Sequence, residues 1–272
     1  MVAMTGSVSP PRLPLATRCF GQSLDYYSII GSTNDEARRA AEGGAPHGHL
    51  VWAEAQSRGR GRVGRIWLSP PGANLYFTLL LRPTRPADQW PQLGFTAAVA
   101  MIDALRPLFP APQPIPVAKW PNDIWVGRQK TAGILAEADT ILGFVLLGIG
   151  LNVNLSADDF PPELAGVATS LRMVLGHSLD RSALLADLLA RLENRYDEWE
   201  SQGFEPIRRA WLEVWGMKGW KSRLEGEPAE FRLESLDADG ALVAIDRAGN
   251  RRRIVAGDVS PVLQPEPAGP EA

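Results

Sequence analysis

Apolar residues recur at helical spacing in three parts of the chain. The longest pattern covers residues 184–199, where leucine and aromatic residues repeat every three or four positions between Asp180 and Gly203. A second pattern covers residues 90–105, and a shorter one covers residues 207–215. The spacing predicts three amphipathic helices, each with one face turned toward a core.

Apolar runs of strand length, separated by turn residues, occupy much of the remaining chain. The predicted strands are residues 49–53, 75–81, 117–120, 124–126, 131–137 and 141–154. After Gly216 the period changes to two, and four short strands follow at residues 220–224, 230–236, 241–246 and 251–255. The pattern indicates an α+β (α/β) fold, in which a mixed β-sheet with flanking helices precedes a small C-terminal antiparallel barrel.

The same pattern divides the chain into four parts. These are a flexible leader (1–19), a large α/β body (20–217), a small barrel domain (218–264) and a flexible tail (265–272). The longest apolar run, residues 141–151, contains glycines and is too short to span a bilayer. We therefore expect no membrane partner.

Charge and composition narrow the possible functions. The chain has 28 Lys and Arg residues and 31 Asp and Glu residues. Because the net charge is slightly negative, the electrostatic field of the whole chain does not attract nucleic acid or an anionic membrane. The single cysteine, Cys19, cannot form a disulfide within the chain, which favours a reducing cytoplasm. Three histidines and one cysteine form no metal-ligand pattern and no hydrolase triad. The chemistry is expected to depend on Lys, Arg, Asn and Asp.

The most unusual segment is residues 56–67, which contains four arginines and no acid. Its glycines, Gly59, Gly61 and Gly64, predict a mobile loop rather than a helix or strand. Guanidinium groups bind phosphate and carboxylate oxygens in pairs, so the loop is suited to enclosing an anion. The glycines also match the dinucleotide fingerprint, but the prolines after Trp67 cannot open the helix which that fingerprint requires. A surface loop that contacts RNA is the alternative interpretation.

A second candidate consists of Lys119, Asn122 and Asp123, followed by Lys130. Both lysines have apolar neighbours, where an ammonium group can neutralise charge developing on a phosphate or carboxylate oxygen. Asn122 and Asp123 offer oxygen ligands for Mg²⁺. A plain Asx turn explains these two residues equally well, and a snorkelling side chain is the default interpretation of Lys130.

Two further segments give weaker signals. Ser32 or Thr33 can cap a helix that ends at Gly43, and this places residues 32–34 at an N-terminus that favours an anion or polar ligand. Glycines 148 and 150 interrupt a predicted buried strand, where glycine often marks the close approach of a ligand or another backbone. Asn152 would lie at that approach.

Together, these segments resemble the biotin protein ligase family. The matching motifs, in the family's order, are Ser32-Thr33-Asn34, Gln56 with Gly59-Arg60-Gly61-Arg62-x-Gly64-Arg65-x-Trp67, Lys119-Trp120-Pro121-Asn122-Asp123, Lys130-x-x-Gly133-Ile134-Leu135 and Gly148-x-Gly150-x-Asn152. The resemblance covers about residues 25–265. It implies a catalytic domain similar to class II aminoacyl-tRNA synthetases and an SH3-like C-terminal barrel.

The resemblance also implies a two-step reaction. The carboxylate of biotin attacks the α-phosphorus of ATP, and a lysine of a biotin carboxyl carrier protein, such as an acetyl-CoA carboxylase subunit, then attacks the biotinyl-adenylate. ATP with Mg²⁺ and biotin are the implied small molecules, with no tightly bound metal. Members of the family can pair, so a homodimer is an open alternative for this chain.

The resemblance carries roles onto individual residues. The implied catalytic residues are Lys130, Arg60 and Arg62. The implied biotin contacts are Ser32, Thr33, Asn34, Gln56, Gly59, Arg60, Gly61, Arg62, Lys130 and Gly133. The implied nucleotide contacts are Arg62, Arg65, Trp67, Asn122, Lys130 and Asn152, and Asp123 is the implied magnesium ligand.

This sequence departs from the family's pattern at two loop positions. Arg58 stands where the family usually has a small residue, and Val63 stands where it often has arginine, which could alter how tightly the loop retains the adenylate. Family members that repress transcription carry an N-terminal winged helix-turn-helix, and only about twenty residues precede the body here, so we expect no DNA binding.

Two other functions stay open. A lipoate protein ligase would have a similar fold and lysine, but it would not be expected to have the Gly-Arg-Gly-Arg loop. A noncatalytic nucleic-acid-binding protein could use that loop together with the basic run at residues 251–253.

Overall fold

The computed structural model describes residues 11–262. The predicted tail, residues 265–272, and the first ten residues of the predicted leader lie outside the described residues. Near the end of the leader, the backbone N–H groups of Arg18, Cys19 and Phe20 donate to the carboxylate of Glu193 at 2.7, 2.8 and 3.0 Å. These bonds tie the start of the body to a long helix.

The described chain contains five α-helices and twelve strands. The helices are α1 (Thr33–Glu42), α2 (Leu93–Leu105), α3 (Leu171–Leu175), α4 (Arg181–Gln202) and α5 (Phe204–Glu213). The strands are β1 (Leu24–Tyr27), β2 (Leu50–Ala53), β3 (Leu75–Leu81), β4 (Val117–Lys119), β5 (Asp123–Val126), β6 (Gln129–Asp139), β7 (Phe144–Leu151), β8 (Lys221–Leu224), β9 (Glu230–Leu236), β10 (Leu242–Asp246), β11 (Arg251–Ile254) and β12 (Val259–Pro261). Within residues 11–262, no helix has both the length and the apolar character needed to cross a bilayer.

Seven strands form one mixed sheet in the order β1-β2-β3-β7-β6-β5-β4. Strands β1 and β2 are parallel, and the other neighbouring pairs are antiparallel. Neighbouring residues on a strand point to opposite faces, and both faces are covered. Val51 and Leu80 pack with the alanines of α1, whereas Trp52 and Leu79 belong to the larger core with α2 and α4. The predicted mixed sheet with flanking helices is confirmed.

The C-terminal strands form a separate antiparallel sheet in the order β11-β10-β9-β8-β12. The four predicted strands are present, and their bounds differ by one residue at three of the eight ends. Strand β12 was not predicted, because a three-residue strand that contains a proline shows no period. It pairs with β8 and thereby brings residue 258 next to the mixed sheet's site.

Some predicted elements differ from those observed. Strand β7 begins at Phe144 rather than at residue 141, because Ile141 lies 93% exposed in the turn after β6, where Asp139 accepts its backbone N–H. Trp215 lies beyond the end of α5 and forms a backbone bridge with Ala118 of β4. Strand β1 and helix α3 were missed because four or five residues carry too little periodicity.

Candidate functional site

A cavity of about 190 Å³ lies beside the central strands of the mixed sheet. Its walls come from the start of α1, from residues 56–68, from β6 and β7, and from residues 155–168. Every residue to which the resemblance gives a catalytic, biotin, nucleotide or magnesium role lines this cavity except Gly59, and the candidate Lys119 does not line it. These lining residues are Ser32, Thr33, Asn34, Gln56, Arg60, Gly61, Arg62, Arg65, Trp67, Asn122, Asp123, Lys130, Gly133 and Asn152. The fold thus brings together motifs that are far apart in the sequence.

The start of α1 forms the floor of the cavity, which we define as residues 32–34 with Thr78. Ser32 occupies the N-cap position, but its side chain makes no capping hydrogen bond. Instead, Gln56 Oε1 accepts from the backbone N–H of Thr33 at 2.8 Å and lies 3.1 Å from the Thr33 hydroxyl. Gln56 therefore satisfies the first free N–H of the helix. Because residue 56 begins the arginine-rich stretch 56–67, this bond also ties the floor to that stretch.

Asn34 is buried in this floor and both ends of its amide are bonded. Its Oδ1 accepts from the Thr78 hydroxyl at 2.6 Å, and its Nδ2 donates to Glu137 Oε2 at 2.7 Å. Gly148 makes room for the side chain, because a Cβ at that position would collide with the Asn34 amide. The amide is held in one orientation before any ligand binds.

The arginine segment, residues 59–67, folds back on itself as a loop that contains one short 3₁₀ turn at Arg62–Gly64. Arg60 and Ile66 form an antiparallel bridge, and the N–H of Trp67 donates to the carbonyl of Gly59 at 2.9 Å. A Cβ on Gly59 would clash with the Trp67 carbonyl, which explains why a glycine occupies this position. Gly59 packs against that carbonyl and does not line the cavity. Val63 at the tip has φ of 52° and is 90% exposed.

Carboxylates hold the arginines of this segment. Arg60 Nη2 lies 2.9 Å from Asp35 Oδ1 and 3.0 Å from Glu137 Oε2. Arg65 forms ion pairs with Glu225 at 2.8 Å and with Asp258, and both partners belong to the C-terminal part of the chain. The arginine segment therefore connects the first helix, the mixed sheet and the C-terminal sheet.

Arg62 and Lys130 form the cationic side of the cavity, and the buried Lys119 lies outside the lining, next to Asp123. Arg62 donates to Asn122 Oδ1 at 3.3 Å. Lys130 Nζ lies 2.7 Å from Asp123 Oδ1 and 5.3 Å from the centre of the Trp67 ring. Lys119 Nζ lies 3.8 Å from the other Asp123 oxygen, and burial lowers the pKa of Lys119 although Asp123 opposes that shift. Asp123 therefore positions two ammonium groups.

This arrangement does not fit the magnesium ligand that the sequence suggested at Asp123. Both of its oxygens face lysine ammonium groups, and the side chain is only 10% exposed. Among residues 11–262, no cluster of three His, Cys, Asp or Glu side chains could hold a metal ion. Spacing alone does not show that the two lysines point at the same carboxylate.

The wall beside Lys130 is aromatic and apolar. The Trp67 ring packs on two glycines of neighbouring strands, Gly133 and Gly150, where a Cβ would clash with it. The buried Nε1 of Trp67 has no hydrogen-bond partner in the described part of the chain. Asn152 is nearly buried and donates to the carbonyl of Thr169 at 3.1 Å. The Trp67 Nε1 therefore lies unpaired against Gly150, and the Asn152 amide supports its own loop.

Several lining residues were missed by sequence reasoning. They are Ile66, Leu68, Leu155, Phe160, Leu164, Val167 and Asp258 in the lining, with Thr78 and Glu137 behind it. Thr78 had a usable signal, because a hydroxyl in the otherwise apolar and aromatic strand β3 needs a buried partner. The apolar residues and Asp258 had none, because they reach the site only through loops and through β12.

The basic run at residues 251–253 does not present a free cationic surface. Arg251 and Arg253 form ion pairs with Asp237, Arg253 also pairs with Asp239, and Arg252 pairs with Glu227. Neutralised guanidinium groups contribute little to the attraction of a phosphate backbone. This disfavours the nucleic-acid-binding alternative.

Comparison with known proteins agrees with the geometry. A sequence model of the Biotin/lipoate A/B protein ligase family matches residues 28–154. The chain is 41% identical over 209 residues to the bifunctional ligase/repressor BirA of Bacillus spizizenii, covering 75% of this chain and 63% of that relative. It is 36% identical over 246 residues to the biotin acetyl-CoA-carboxylase ligase of Mycobacterium tuberculosis, covering 88% of each chain.

The fold also matches that of a biotin protein ligase from Aquifex aeolicus, solved in complex with biotin and ATP. The TM-score is 0.76 at 28% identity, and the match covers 88% of this chain and 98% of the Aquifex chain. The chain thus spans less than two thirds of the bifunctional relative but nearly all of the Aquifex enzyme.

Proposed function

Because this chain belongs to the biotin protein ligase family, we propose that it activates biotin with ATP and transfers the biotinyl group to a carrier protein. In the first step, a carboxylate oxygen of biotin bonds to the α-phosphorus of ATP, and pyrophosphate leaves with the bridging oxygen. In the second step, a lysine amine of the carrier attacks the carbonyl carbon of biotinyl-5'-AMP, AMP leaves, and the amine loses a proton. The substrates supply both nucleophiles, so no catalytic Cys or His is required.

We assign the ring end of biotin to the floor. A ureido group has one carbonyl acceptor and two N–H donors, and it needs both donors and acceptors that are fixed in place. Thr33 and Asn34 supply them from the start of α1, where buried bonds already orient both side chains. The proposed biotin contacts are Ser32, Thr33, Asn34, Gln56, Arg60, Gly61, Arg62, Lys130 and Gly133, with Gly59 shaping the turn.

We assign catalysis to Lys130, Arg60 and Arg62. Negative charge on the phosphate oxygens shifts during the first step, and cations already in place in a sheltered site stabilise that transition state. Lys130 fits this role because Asp123 fixes its ammonium group at 2.7 Å and the Trp67 ring lies beside it. The arginines also close the cavity, which limits attack by water on the mixed anhydride.

We assign the nucleotide to the end with Trp67. The Trp67 ring lines the cavity, and Arg65, Asn122 and Asn152 provide polar groups in the same lining. The apolar residues of the loop 155–168 offer a surface for a base. Mg²⁺ enters this proposal only as the ion that accompanies ATP, because the protein's own carboxylate at residue 123 is committed to lysines.

The domain roles follow from these contacts. We propose that residues 20–217 form a catalytic domain similar to class II aminoacyl-tRNA synthetases and that residues 218–264 form an SH3-like barrel that contributes Asp258. The proposed acceptor is a biotin carboxyl carrier protein of acetyl-CoA carboxylase, in line with the name of the Mycobacterium relative. A homodimer and a cytoplasmic location stay predictions.

The observation that carries the proposal is one cavity in which the cations of residues 60, 62 and 130 face a buried floor of oriented hydrogen-bonding groups. The test is ATP–pyrophosphate exchange by the purified chain with biotin or lipoate, followed by transfer to a carrier domain. We expect exchange and labelling with biotin only. Exchange with lipoate alone would indicate a lipoate ligase. No exchange with either, combined with a steep salt dependence of RNA affinity, would support the nucleic-acid-binding alternative.

A further inference from the structure

Glu137 lies in β6 just after the Lys130–Leu135 motif, and it contacts both sides of the cavity. Its Oε2 accepts from Asn34 Nδ2 at 2.7 Å and from Arg60 Nη2 at 3.0 Å. Its backbone pairs with Leu146 of β7 within the central part of the mixed sheet. One carboxylate oxygen on a rigid strand therefore bonds the floor and the arginine segment at the same time.

The contact with Asn34 fixes which way its amide faces. A carboxylate only accepts hydrogen bonds, so the Asn34 atom beside it has to be the amide nitrogen. Asn34 Oδ1 then accepts from the Thr78 hydroxyl, as the 2.6 Å distance indicates. This leaves one N–H and one oxygen lone pair of Asn34 for a ligand. If Glu137 were removed, the amide could turn over and exchange its donor for its acceptor.

The contact with Arg60 bears on the closure of the cavity. Arg60 is 42% exposed and has two carboxylate partners, Glu137 and Asp35. Partly exposed ion pairs are weak individually, so the closed position of Arg60 depends on having both of them. Only Glu137 also bonds Asn34, whereas Asp35 contacts Arg60 alone among these groups.

The geometry points to Glu137 as a positioning residue that orients Asn34 for the ring of biotin and holds Arg60 closed over the adenylate. The inference rests on the proposed function and deepens it. One carboxylate couples two properties of the site, namely affinity for biotin and retention of biotinyl-AMP. Its two contacts can be separated by substitution, because an amide oxygen can still accept from Asn34 but has no charge to attract Arg60.

The experiment compares full-length variants in two assays. The first assay gives KM for biotin and for ATP in pyrophosphate exchange, and the second gives the rate at which preformed biotinyl-AMP leaves the enzyme without carrier. Glu137→Ala should raise KM for biotin about tenfold and speed release about tenfold, with KM for ATP unchanged. Glu137→Gln should keep KM for biotin within about twofold of wild type while release speeds up about fivefold.

Two controls test the separate contacts. Asp35→Asn should speed release while KM for biotin stays within about twofold of wild type, because Asp35 pairs with Arg60 and not with Asn34. Asp139→Asn should change neither quantity, although Asp139 lies on the same strand and pairs with Arg38 at 3.0 Å outside the cavity. Thermal unfolding of every variant checks the fold.

The outcomes distinguish the inference from the proposed function. Wild-type kinetics in both Glu137 variants would overturn the positioning role and leave the proposed function intact. So would an equal rise in KM for biotin and ATP together with unchanged release, because that pattern indicates a general structural defect. A wild-type chain that shows no biotin-dependent exchange would overturn the proposed function itself.

Discussion

The floor and the arginine segment face each other across one cavity, but they are built by different means. The floor residues 32–34 are at most 4% exposed, and the side chains of Thr33 and Asn34 bond to other elements. The side chains of Arg60, Arg62 and Arg65 are 42%, 30% and 57% exposed, and carboxylates on three separate parts of the chain hold them.

The difference in burial implies a difference in rigidity. A buried polar group that loses its partner costs about 1–3 kcal/mol, so the floor has one strongly preferred arrangement. An exposed ion pair contributes only about 0–1 kcal/mol, so the arginine segment can open and close at small cost. We infer that the floor recognises the ligand and that the arginine segment retains it. Substitutions on the two sides should therefore change different measured quantities.

The largest effect is expected at Lys130, which lies between the two sides. Lys130→Ala should slow formation of biotinyl-AMP by about 10²–10³-fold, because a fixed cation at the reacting phosphate is lost. The free energy of unfolding should fall by about 1–3 kcal/mol at most, because the buried Asp123 loses one ammonium partner and keeps Lys119. Single-turnover adenylate formation and urea unfolding measure the two quantities.

The control is Lys221→Ala, which removes an exposed lysine on β8 away from the cavity. It should leave both quantities unchanged. If Lys130→Ala formed biotinyl-AMP at the wild-type rate, Lys130 would have no role in catalysis.

The next effect tests the floor through Thr78→Val, which keeps the side-chain shape and removes the hydroxyl bonded to Asn34. We expect KM for biotin to rise about tenfold and the free energy of unfolding to fall by about 1–3 kcal/mol, because the Asn34 oxygen loses its donor. Release of the adenylate should change little. Urea unfolding and pyrophosphate exchange test the variant.

Thr131→Val is the matched control. Thr131 is also fully buried, but its hydroxyl has no hydrogen-bond partner among the described residues. Removing it should leave stability unchanged or increase it. If the two Thr→Val variants lost equal stability, the oriented bonds of the floor would not be the source of its rigidity.

The fold was predictable where burial imposes a period. Helix α4 and strand β3 match their predicted positions because all their buried residues except Thr78 and Glu193 are apolar. The predicted start of β7 failed because Ile141 is apolar and yet exposed in a turn. Strand β12 could not be predicted, because its pairing with β8 and not its own composition makes it a strand.

The sequence predicted the site only where the residue types themselves indicate a chemical role. Clustered arginines and glycines identified the arginine segment, but the partners that hold it are 77 residues away at Glu137 and 160 residues away at Glu225. The partners of Asp123 were hidden for the same reason, because the sequence does not show which groups face a carboxylate. Geometry was needed to distinguish a metal ligand from a partner of two lysines.

A smaller effect is expected on the arginine segment at Asp258, which pairs with Arg65 and lies 4.0 Å from Arg62. Asp258→Asn should speed release of biotinyl-AMP about two- to fivefold at low salt, with stability unchanged within about 0.5 kcal/mol. The difference from wild type should shrink in about 0.5 M salt, which screens exposed charges. Asp237→Asn, which breaks ion pairs elsewhere in the same sheet, should have no effect on release.

Two glutamates outside the cavity, Glu193 and Glu205, should have the smallest effect on activity. They also test again whether buried hydrogen bonds behave differently from exposed ion pairs. Burial alone would raise the pKa of Glu193, but the backbone N–H groups of residues 18–20 lower it to about 2 from the ordinary 4.5. The pKa of Glu205 is also lowered to about 2, by hydrogen bonds from Arg208 and Arg209 at the surface. Both carboxylates therefore stabilise the fold above about pH 5, and both contributions disappear as the pH falls toward 2.

Salt should separate the two cases. Glu193→Gln and Glu205→Gln should each unfold more easily than wild type at pH 7, and both should approach wild type near pH 2. In about 0.5 M salt at pH 7, the loss in Glu205→Gln should vanish, because arginine pairs at the surface are screened. The loss in Glu193→Gln should persist, since its partners are backbone groups at 2.7, 2.8 and 3.0 Å. If salt reduced the loss of stability equally in both variants, burial would not protect a carboxylate's bonds from screening. The same argument from burial could then not explain the difference between the floor and the arginine segment.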